Sequence, residues 1–530
     1  MPLTAASRRG VVAAPHAAAA ETGRAILAEG GNAVEAMIGM AATIAVVYPH
    51  MNAIGGDGFW LVREPGGQVR SIEGCSAAAA AATIAFYRGH GHDVIPARGP
   101  LAALTAPGAI DGWRLAGELA AGSGGRLPRD VLLGEAIRLA RGGFAVSASQ
   151  GRTRPKEYEA CIAAPGFAQA YMRDGEMLAA GETLVQTRLA DTLDHLSRAG
   201  FRDFYEGDVA RSMAADLERI GSPLARGDLN ALRARFAEPL RMRIKGGTVY
   251  NTRPPTQGLA SLVILGVLER LAPRTDEDAA FLHGVVEATK RAFAIRDRVC
   301  GDNAPADLDL DAFLTPKRLD AEAAAIDLKR AAPFPAPAGD GDTVWMGAID
   351  GEGRAVSYIQ SIYWEYGSGC VLPETGVLIQ NRGASFALDP KSVNALAPGR
   401  RPFHTLNPPL AVMDDGRVVA YGTMGGDGQP QTQAMVFARH VWLKRPIEEA
   451  LAAPRFRLGR SWGETETGVR YEPRFDGEVI DRLAGMGHEI APWPDEFDDE
   501  GGHAGLIVRD ASGAIEGGHD PRSDGGAAGA

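Results

Sequence analysis

The sequence is poor in cysteine, and its four cysteines are widely separated. None of them forms a Cys-x-x-Cys pair, and they are Cys75, Cys161, Cys300 and Cys370. This spacing favours neither a disulfide framework nor a zinc site, and it suits a reducing compartment. His90–Asp93 contains two histidines but no third ligand at helical spacing, so we interpret it as a solvated loop. We expect no metal and no cofactor.

Long apolar runs and basic clusters are also missing. The most apolar stretch, Ala33–Tyr48, is shorter than the ~20 residues of a membrane-spanning helix. Met1–Ala20 lacks the apolar core of a signal peptide. The formal net charge is −11, and no Lys/Arg cluster offsets it, which argues against binding to nucleic acid. These absences predict a cytoplasmic protein that has neither a membrane nor a nucleic acid as its partner.

The 530 residues form an ordinary globular composition, with 45% hydrophobic and 23% charged residues. Before residue 329 most of the pattern is helical, with apolar residues at three- and four-residue spacing. The alanine run Ala77–Ala82 also favours the start of a helix. Residues 329–341 are rich in Pro, Ala and Gly and indicate an irregular surface linker. Runs of period-two strands with glycine turns follow it. The sequence therefore predicts a boundary at the linker, with a helix-rich part before it and a sheet-rich part after it.

A β-hairpin directly follows the linker. Val344–Ile349 and Ala355–Ile362 are strand-like, and a glycine-containing joint separates them. If the hairpin closes at Asp350 and Arg354, Thr343 lies opposite Ser361, where side chains of antiparallel strands meet. Cleavage before Thr343 would give a nucleophile whose own α-amine can act as its base. On local spacing alone, an ordinary strand-initiating threonine is the favoured interpretation.

The segment Gly422–Gly428 is glycine-rich but lacks the residues of a P-loop or of a dinucleotide site. Consecutive glycines after a strand can present bare backbone N–H groups to an oxyanion. A plain turn explains the same pattern. Both interpretations stay open on this segment alone.

Taken together, motifs along nearly the whole chain resemble those of the gamma-glutamyltransferase family of N-terminal-nucleophile hydrolases. Their order and spacing carry the resemblance. They are Gly30–Ala36, Gly55–Phe59, Ala106–Gly108, Tyr205–Ala210, Pro254–Gly258, Asp342–Thr343, Gly425–Gly426, Ala453–Phe456 and Asp520–Gly525. The resemblance implies an α+β fold, a four-layer αββα sandwich, made as one proenzyme that cleaves itself between Asp342 and Thr343. Residues 1–342 and 343–530 would then be two associated subunits, an αβ heterodimer, with a dimer of heterodimers as an open alternative.

The resemblance also assigns catalytic roles. Thr343 would be the nucleophile of both self-cleavage and turnover. Ser361 falls where the family has a second threonine that hydrogen-bonds the nucleophile. Gly425 and Gly426 fall on the family's oxyanion-hole glycines. The implied reaction is attack on an amide carbonyl, followed by release of an acyl-enzyme to water or to an amine.

The sequence departs from the family where glutamate is recognised. Cys75 replaces the family's arginine for the α-carboxylate, and Ser385 replaces its aspartate for the α-amine. His404 and Thr405 replace a pair of serines, and Tyr363 replaces a binding asparagine. Loss of both charged partners should cost several kcal/mol of recognition at a desolvated site.

Arg382, by contrast, is a cation that can bind a carboxylate. We therefore expect an amidohydrolase acting on a small acid without the α-amino group, as in the oxamate-amidohydrolase branch that the segment around Arg382 resembles. Two alternatives are a gamma-glutamyltransferase or glutathione hydrolase that binds glutamate through other residues, and a pseudoenzyme that never cleaves itself. The presence of Thr343, Ser361 and the glycine pair argues against the pseudoenzyme.

Overall fold

Two antiparallel sheets of seven strands each form the centre of the fold in the computed structural model, which describes residues 1–155, 157–271, 279–334, 342–459 and 468–530. Sheet 1 has the order β5-β4-β3-β9-β8-β2-β14, and sheet 2 has the order β1-β13-β12-β11-β10-β7-β6. In chain order, β1 to β14 are Thr4–Ser7, Gly10–Ala14, Asp57–Arg63, Val69–Gly74, Arg235–Ala237, Leu240–Ile244, Gly247–Asn251, Asp342–Asp350, Ala355–Tyr363, Leu410–Met413, Val418–Thr423, Ala504–Arg509, Ile515–His519 and Gly526–Gly529.

Helices cover the outer faces of both sheets. In chain order, α1 to α18 are Ala17–Ala28, Ala33–Val47, Ile84–Gly89, Ala109–Gly122, Arg129–Gly142, Ala148–Arg152, Tyr158–Ile162, Phe167–Tyr171, Thr187–Ala199, Asp203–Glu206, Asp208–Ile220, Arg226–Ala231, Gly258–Arg270, Ala279–Val299, Pro316–Ala324, Gln429–Phe437, Ile447–Ala452 and Gly477–Gly485. Shorter strands lie outside the two sheets, among them a three-stranded sheet formed by Phe456–Leu458, Val469–Tyr471 and Ile490–Pro492.

Alternation along the strands divides the core into three layers. Val11 and Phe59 point between the two sheets, whereas their neighbours Val12 and Trp60 point toward α1, α2 and α4. On the far side of sheet 2, Val419 packs with the apolar residues of α13, α14 and α16. Successive side chains of a strand face opposite sides, so each sheet buries both faces. The result is the expected αββα sandwich.

Helix α2 is the most completely buried helix of the first layer. All of its residues are buried, as its continuous apolar sequence predicts. It begins with a capping box in which the Asn32 side chain accepts from the backbone of Glu35 and the Glu35 side chain accepts from the backbone of Asn32. Capping of this kind satisfies N–H groups that a helix start leaves without partners.

The predicted hairpin is present as β8 and β9. It closes at Asp350 and Arg354, whose side chains form a buried ion pair. The expected register holds from Ile349/Ala355 to Val344/Gln360. Beyond that point Asp342 pairs with Tyr363, so one residue on β8, Thr343, lies opposite two residues on β9. The direct opposition of Thr343 and Ser361 is therefore modified by a β-bulge, which bends a strand locally.

Two expectations about secondary structure need correction. The alanine run Ala77–Ala82 was expected to start a helix, but Ala77–Ala78 pairs as a short strand with Thr105–Ala106 and then turns. The part before the linker is rich in helices, yet it also supplies β1 to β7, which are four of the seven strands of sheet 1 and three of the seven strands of sheet 2. The last residues of the predicted linker, 335–341, lie outside the described residues. No helix within the described ranges is long and apolar enough to cross a membrane.

Candidate active site

Thr343 is fully buried at the start of β8, in the middle of sheet 1. Two residues later, Trp345 inserts its indole between the sheets and donates to Ser357 Oγ at 2.9 Å. A Cβ at Gly422 of β11 or at Gly505 of β12 would lie little more than 2 Å from this ring. Glycine at these two positions therefore lets sheet 2 approach β8 closely and fixes the strand that carries Thr343.

The hydroxyl of Thr343 is held by an amide from the start of α16. Gln429 Nε2 donates to Thr343 Oγ1 at 3.3 Å, and Asn407 Nδ2 donates to Gln429 Oε1 at 3.1 Å. Asn407 Nδ2 also donates to the carbonyl oxygen of Thr405 at 2.8 Å. All of these residues are buried. The amide chain thus connects the predicted nucleophile to the predicted binding residue Thr405.

The glycine pair lies in the turn that leads into α16. Gly425 has φ 113° and Gly426 has φ 52°, conformations that residues with a Cβ rarely adopt. Gln257 Nε2 donates to the carbonyl oxygen of Gly426 at 2.9 Å and to that of Thr405 at 2.8 Å. Within the part of the chain that the structure describes, the backbone N–H groups of Gly425 and Gly426 donate to no acceptor. Such N–H groups can serve an oxyanion.

Ser361 lies on the bulged end of β9 and contacts Arg382. Arg382 Nη2 donates to Ser361 Oγ at 3.2 Å, and Arg382 Nη1 donates to Thr405 Oγ1 at 3.4 Å. The Arg382 guanidinium also lies 4.2 Å from the centre of the Tyr363 ring, a cation–π distance. Tyr363 adopts φ 84° just after the bulge. At the bulged end of β9, Ser361 and Tyr363 therefore both contact the guanidinium of Arg382.

Arg382 is fully buried, and no carboxylate pairs with it among the described residues. Its Nε atom has no hydrogen-bond acceptor there. Burial lowers the pKa of its guanidinium to about 10, still well above neutral pH. A buried charge without a counter-ion is costly, because water no longer solvates it. The position is therefore suited to an anionic ligand.

Behind Arg382, His404 and Asp57 form a buried pair. His404 Nδ1 donates to the carbonyl oxygen of Pro402 at 2.7 Å, and one proton lies between His404 Nε2 and Asp57 Oδ2, also 2.7 Å apart. Burial, and then the positive charge of Arg382, hold the pKa of His404 below its usual value. The Cys75 sulfur lies 3.8 Å from His404 Nδ1. Burial raises the pKa of the Cys75 thiol well above its usual value, so this thiol is not an activated nucleophile.

Ser385 takes a more peripheral position. It ends a short 3₁₀ turn that begins at Arg382, and its hydroxyl donates to the carbonyl oxygen of Phe403 at 3.2 Å. Thr343, Ser361, Tyr363, Arg382, His404 and Thr405 thus belong to one buried region joined by hydrogen bonds and ring contacts. Cys75 adjoins that region through His404, and Ser385 adjoins it through the turn of Arg382.

Four buried polar residues of this region are not identified as site residues by the sequence analysis. They are Asp57, Gln257, Asn407 and Gln429. Asp57 and Gln257 lie inside motifs quoted for the family resemblance, which was the available signal for them. Asn407 and Gln429 are ordinary amides in sequence, and their roles depend on contacts between distant segments.

A family model described as Gamma-glutamyltranspeptidase matches residues 19–530. The chain belongs to the gamma-glutamyltranspeptidase family. It is 47% identical over 524 residues to the oxamate amidohydrolase proenzyme of Klebsiella pneumoniae subsp. pneumoniae, with 99% of both chains covered. It is 37% identical over 522 residues to the glutathione hydrolase-like YwrD proenzyme of Bacillus subtilis, with 98% of both chains covered.

Comparison with solved structures places the fold in the same family. A solved structure of cephalosporin acylase from Bacillus halodurans superposes with a TM-score of 0.90 at 29% identity, covering 99% of this chain and 97% of that one. The αββα sandwich of this gamma-glutamyltranspeptidase-family protein is therefore that of the N-terminal-nucleophile hydrolases. The protein is an enzyme of the amidohydrolase type.

Proposed function

We propose that this enzyme cleaves itself between Asp342 and Thr343 and then hydrolyses the amide bond of a small carboxylate-bearing substrate of the oxamate type. Residues 1–342 and 343–530 would remain together as an αβ heterodimer. The main observation in favour of this substrate class is that the buried guanidinium of Arg382 contacts two hydroxyls and an aromatic ring. The oxamate amidohydrolase proenzyme at 47% identity supports the same class.

The position of Arg382 favours a short acid. Its Nη2 atom donates to Ser361 Oγ. Ser361 lies on β9, opposite the bulge in β8 that contains Thr343. In oxamate the carboxylate is bonded directly to the scissile carbonyl carbon. A cation in the region of the nucleophile can therefore bind the carboxylate while Thr343 attacks the carbonyl carbon. A γ-glutamyl group instead places its α-carboxylate several bonds away from its scissile carbonyl.

In self-cleavage, Thr343 Oγ1 attacks the carbonyl carbon of Asp342 and the peptide nitrogen leaves as the new α-amine. Water then hydrolyses the resulting ester and leaves a carboxylate on Asp342. In turnover, the α-amine of Thr343 takes the hydroxyl proton as Oγ1 attacks the substrate carbonyl. The N–H groups of Gly425 and Gly426 stabilise the oxyanion. The proton passes to the departing amine, and water releases the acyl group as a carboxylic acid.

Recognition of glutamate by this site has weaker support. Cys75 is an uncharged, buried thiol beside His404, and the Ser385 hydroxyl already donates to the carbonyl oxygen of Phe403. Neither offers the charge that an α-carboxylate or an α-amine needs. The glutathione hydrolase-like relative at 37% identity keeps the γ-glutamyl reaction as the second candidate.

Processing is tested by the denatured intact mass of freshly purified protein. We expect two fragments, residues 1–342 and 343–530, and a single uncut chain for Thr343→Ala, because alanine has no hydroxyl to attack Asp342. A wild-type chain that stays uncut on long incubation would contradict the assignment of Thr343.

The substrate class is tested separately with the processed enzyme. A panel should contain oxamate, other simple acid amides and a γ-glutamyl anilide, each assayed for the released amine. We expect turnover of oxamate-type amides and little of the anilide. Robust turnover of the anilide with none of the acid amides would favour the γ-glutamyl reaction, while leaving the processing result unaffected.

A further inference from the structure

A buried cluster of two histidines and a glutamate lies outside the active site, on the helical layer of sheet 2. His283 and Glu287 are one turn apart on α14, and His488 follows α18. One ligand atom from each residue lies within 4.8 Å of the other two. All three side chains are buried. Neither the amidohydrolase reaction nor the core packing requires such a set of donors.

The hydrogen bonds around His283 leave its Nδ1 atom ready to bind a metal. His283 Nε2 lies 2.8 Å from the carbonyl oxygen of Asp327, so Nε2 carries the proton and donates it. Nδ1 is therefore unprotonated, and its lone pair accepts a hydrogen bond from His488 Nε2 at 2.8 Å. Donation of the second ring N–H to a carbonyl is the arrangement that orients histidine ligands in metal sites.

Glu287 supplies an oxygen ligand beside the two nitrogens. Lys290 Nζ lies 2.7 Å from Glu287 Oε1, while Oε2 receives a 3.3 Å contact from Ala332 N. His488 and Lys290 also line a cavity of about 260 Å³ together with Pro333 and Glu489. This cavity leaves room for a fourth ligand such as water.

We propose that His283 Nδ1, His488 Nε2 and one oxygen of Glu287 form a binding site for a divalent transition metal ion of the zinc type. Two imidazoles and a carboxylate with a fourth, solvent-facing position are a usual zinc ligand set. When the metal takes the place of the proton between the two rings, His488 takes up a proton on its Nδ1 atom instead, so both histidines bind as neutral imidazoles and no net proton is released. The nitrogen atoms then move apart from 2.8 Å to about 3.4 Å, the separation of two ligands of one tetrahedral ion.

The site also holds the segment that leads toward the proposed cleavage point. Asp327 accepts from His283, Ala332 N contacts Glu287, and Ala331 N donates to the carbonyl oxygen of Met486 near His488. A bound metal would tie this segment, α14 and the loop of His488 together. Its effect is expected on stability more than on chemistry.

The test uses the full chain after chelator treatment and dialysis, with Zn²⁺ alone as the probe. We expect calorimetry to show one Zn²⁺ per chain and Zn²⁺ to raise the thermal midpoint. His283→Gln and His488→Gln should each weaken binding by about 100-fold or more. The matched control is His90→Gln with His92→Gln, an exposed and a half-buried histidine in the loop after α3, which should bind Zn²⁺ as the wild type does.

Co²⁺ gives a readout that needs no variant. Its visible absorption in the wild-type protein should have the intensity of a tetrahedral site and should disappear on addition of Zn²⁺. Absence of stoichiometric binding would overturn the proposal. So would binding that survives both substitutions at His283 and His488, or binding that is lost in the control pair.

Discussion

Arg382 differs from Arg296 and Arg455, two other fully buried arginines, in what surrounds it. Arg296 forms an ion pair with buried Asp427, and Arg455 forms one with buried Asp520. Arg382 contacts hydroxyl groups and an aromatic ring instead. Since an unpaired buried charge destabilises a protein, its retention against Ser361, in the buried region that contains Thr343, favours a functional use for that charge.

Substitution of Arg382 by lysine should separate binding of the substrate from processing. Lysine keeps a positive charge but loses the planar pair of donors that grips a carboxylate. We expect kcat/KM for oxamate to fall by about 100-fold, about 2.7 kcal/mol of lost transition-state binding. Steady-state assays measure the fall, and intact mass should still show both fragments.

Arg354→Lys is the matched control for that substitution. Arg354 is a buried arginine at the other end of the same hairpin that forms an ion pair with Asp350, and we expect lysine to keep this ion pair. We expect its kcat/KM to stay within about twofold of the wild type. An Arg382→Lys enzyme with unchanged kcat/KM for oxamate would remove Arg382 from substrate recognition.

Cys75 and Ser385 define a second residue-scale prediction, about specificity. The double variant Cys75→Arg, Ser385→Asp restores a cation and an anion for the two ends of an amino acid. Cys75 borders a cavity of about 540 Å³, which gives a larger side chain room. We expect measurable γ-glutamyl anilide hydrolysis and weaker turnover of oxamate. Both rates are measured from the amine that each substrate releases. A folded, processed double variant that gains no γ-glutamyl activity would contradict this account of specificity.

At this scale the sequence analysis singled out Thr343 and Arg382 as candidate site residues, and it did not single out Gln429 or Asn407. Arg382 is recognisable by its charge, and Thr343 by its place in a family motif, because local spacing alone favours an ordinary strand-initiating threonine. Gln429 and Asn407 are not, since an amide gains its role only when folding brings it to a particular hydroxyl. Their assignment needed distances between segments far apart in the chain.

At the scale of elements, α2 depends on one buried carboxylate. Glu35 accepts hydrogen bonds from the backbone N–H groups of Asn32, Arg126 and Leu127 at 2.7–2.8 Å. It therefore joins the start of α2 to the segment before α5. Removal of the carboxylate leaves these donors without an acceptor.

Glu35→Ala should therefore destabilise the protein strongly. We expect a loss of about 3 kcal/mol, because each buried N–H that loses a charged acceptor is costly. The thermal midpoint should fall by several degrees in calorimetry. The control Glu21→Ala removes a largely exposed carboxylate that pairs with Arg24, and should cost less than about 1 kcal/mol. Equal midpoints for the two variants would show that the Glu35 contacts contribute little.

The sequence pattern predicts part of the hairpin structure. Period-two alternation and the glycine joint predicted the strands and their register up to Val344/Gln360. They could not predict the bulge at Thr343, because a bulge depends on contacts outside the hairpin, here those of Arg382 with Ser361 and of Gln429 with Thr343. Alanine in Ala77–Ala82 favoured a helix by propensity alone, and pairing with Thr105–Ala106 overrode it.

Across the whole molecule, the two predicted subunits are interleaved and not side by side. In sheet 1, β8 and β9 from the second part lie between β3 and β2 from the first part. In sheet 2, β10 to β13 lie between β1 and β7 of the first part. The sequence predicts a boundary at the linker, but a boundary along the chain does not reveal which strands pair across it.

This interleaving predicts that the cut chain behaves as one unit. Backbone hydrogen bonds join β9 to β3 along its length, from Ala355/Arg63 to Ser361/Asp57, and join β8 to β2 from Gly347/Ala13 to Asp350/Gly10. The interface is buried and apolar, so salt should not weaken it as it weakens surface ion pairs. We expect the two fragments to elute together from gel filtration in 1 M NaCl, and to unfold in a single calorimetric transition.

The uncut Thr343→Ala chain is the control and should elute at the same volume. Fragments that separate under native conditions would contradict the interleaved sheets, because neither fragment holds a complete set of neighbouring strands for its own core.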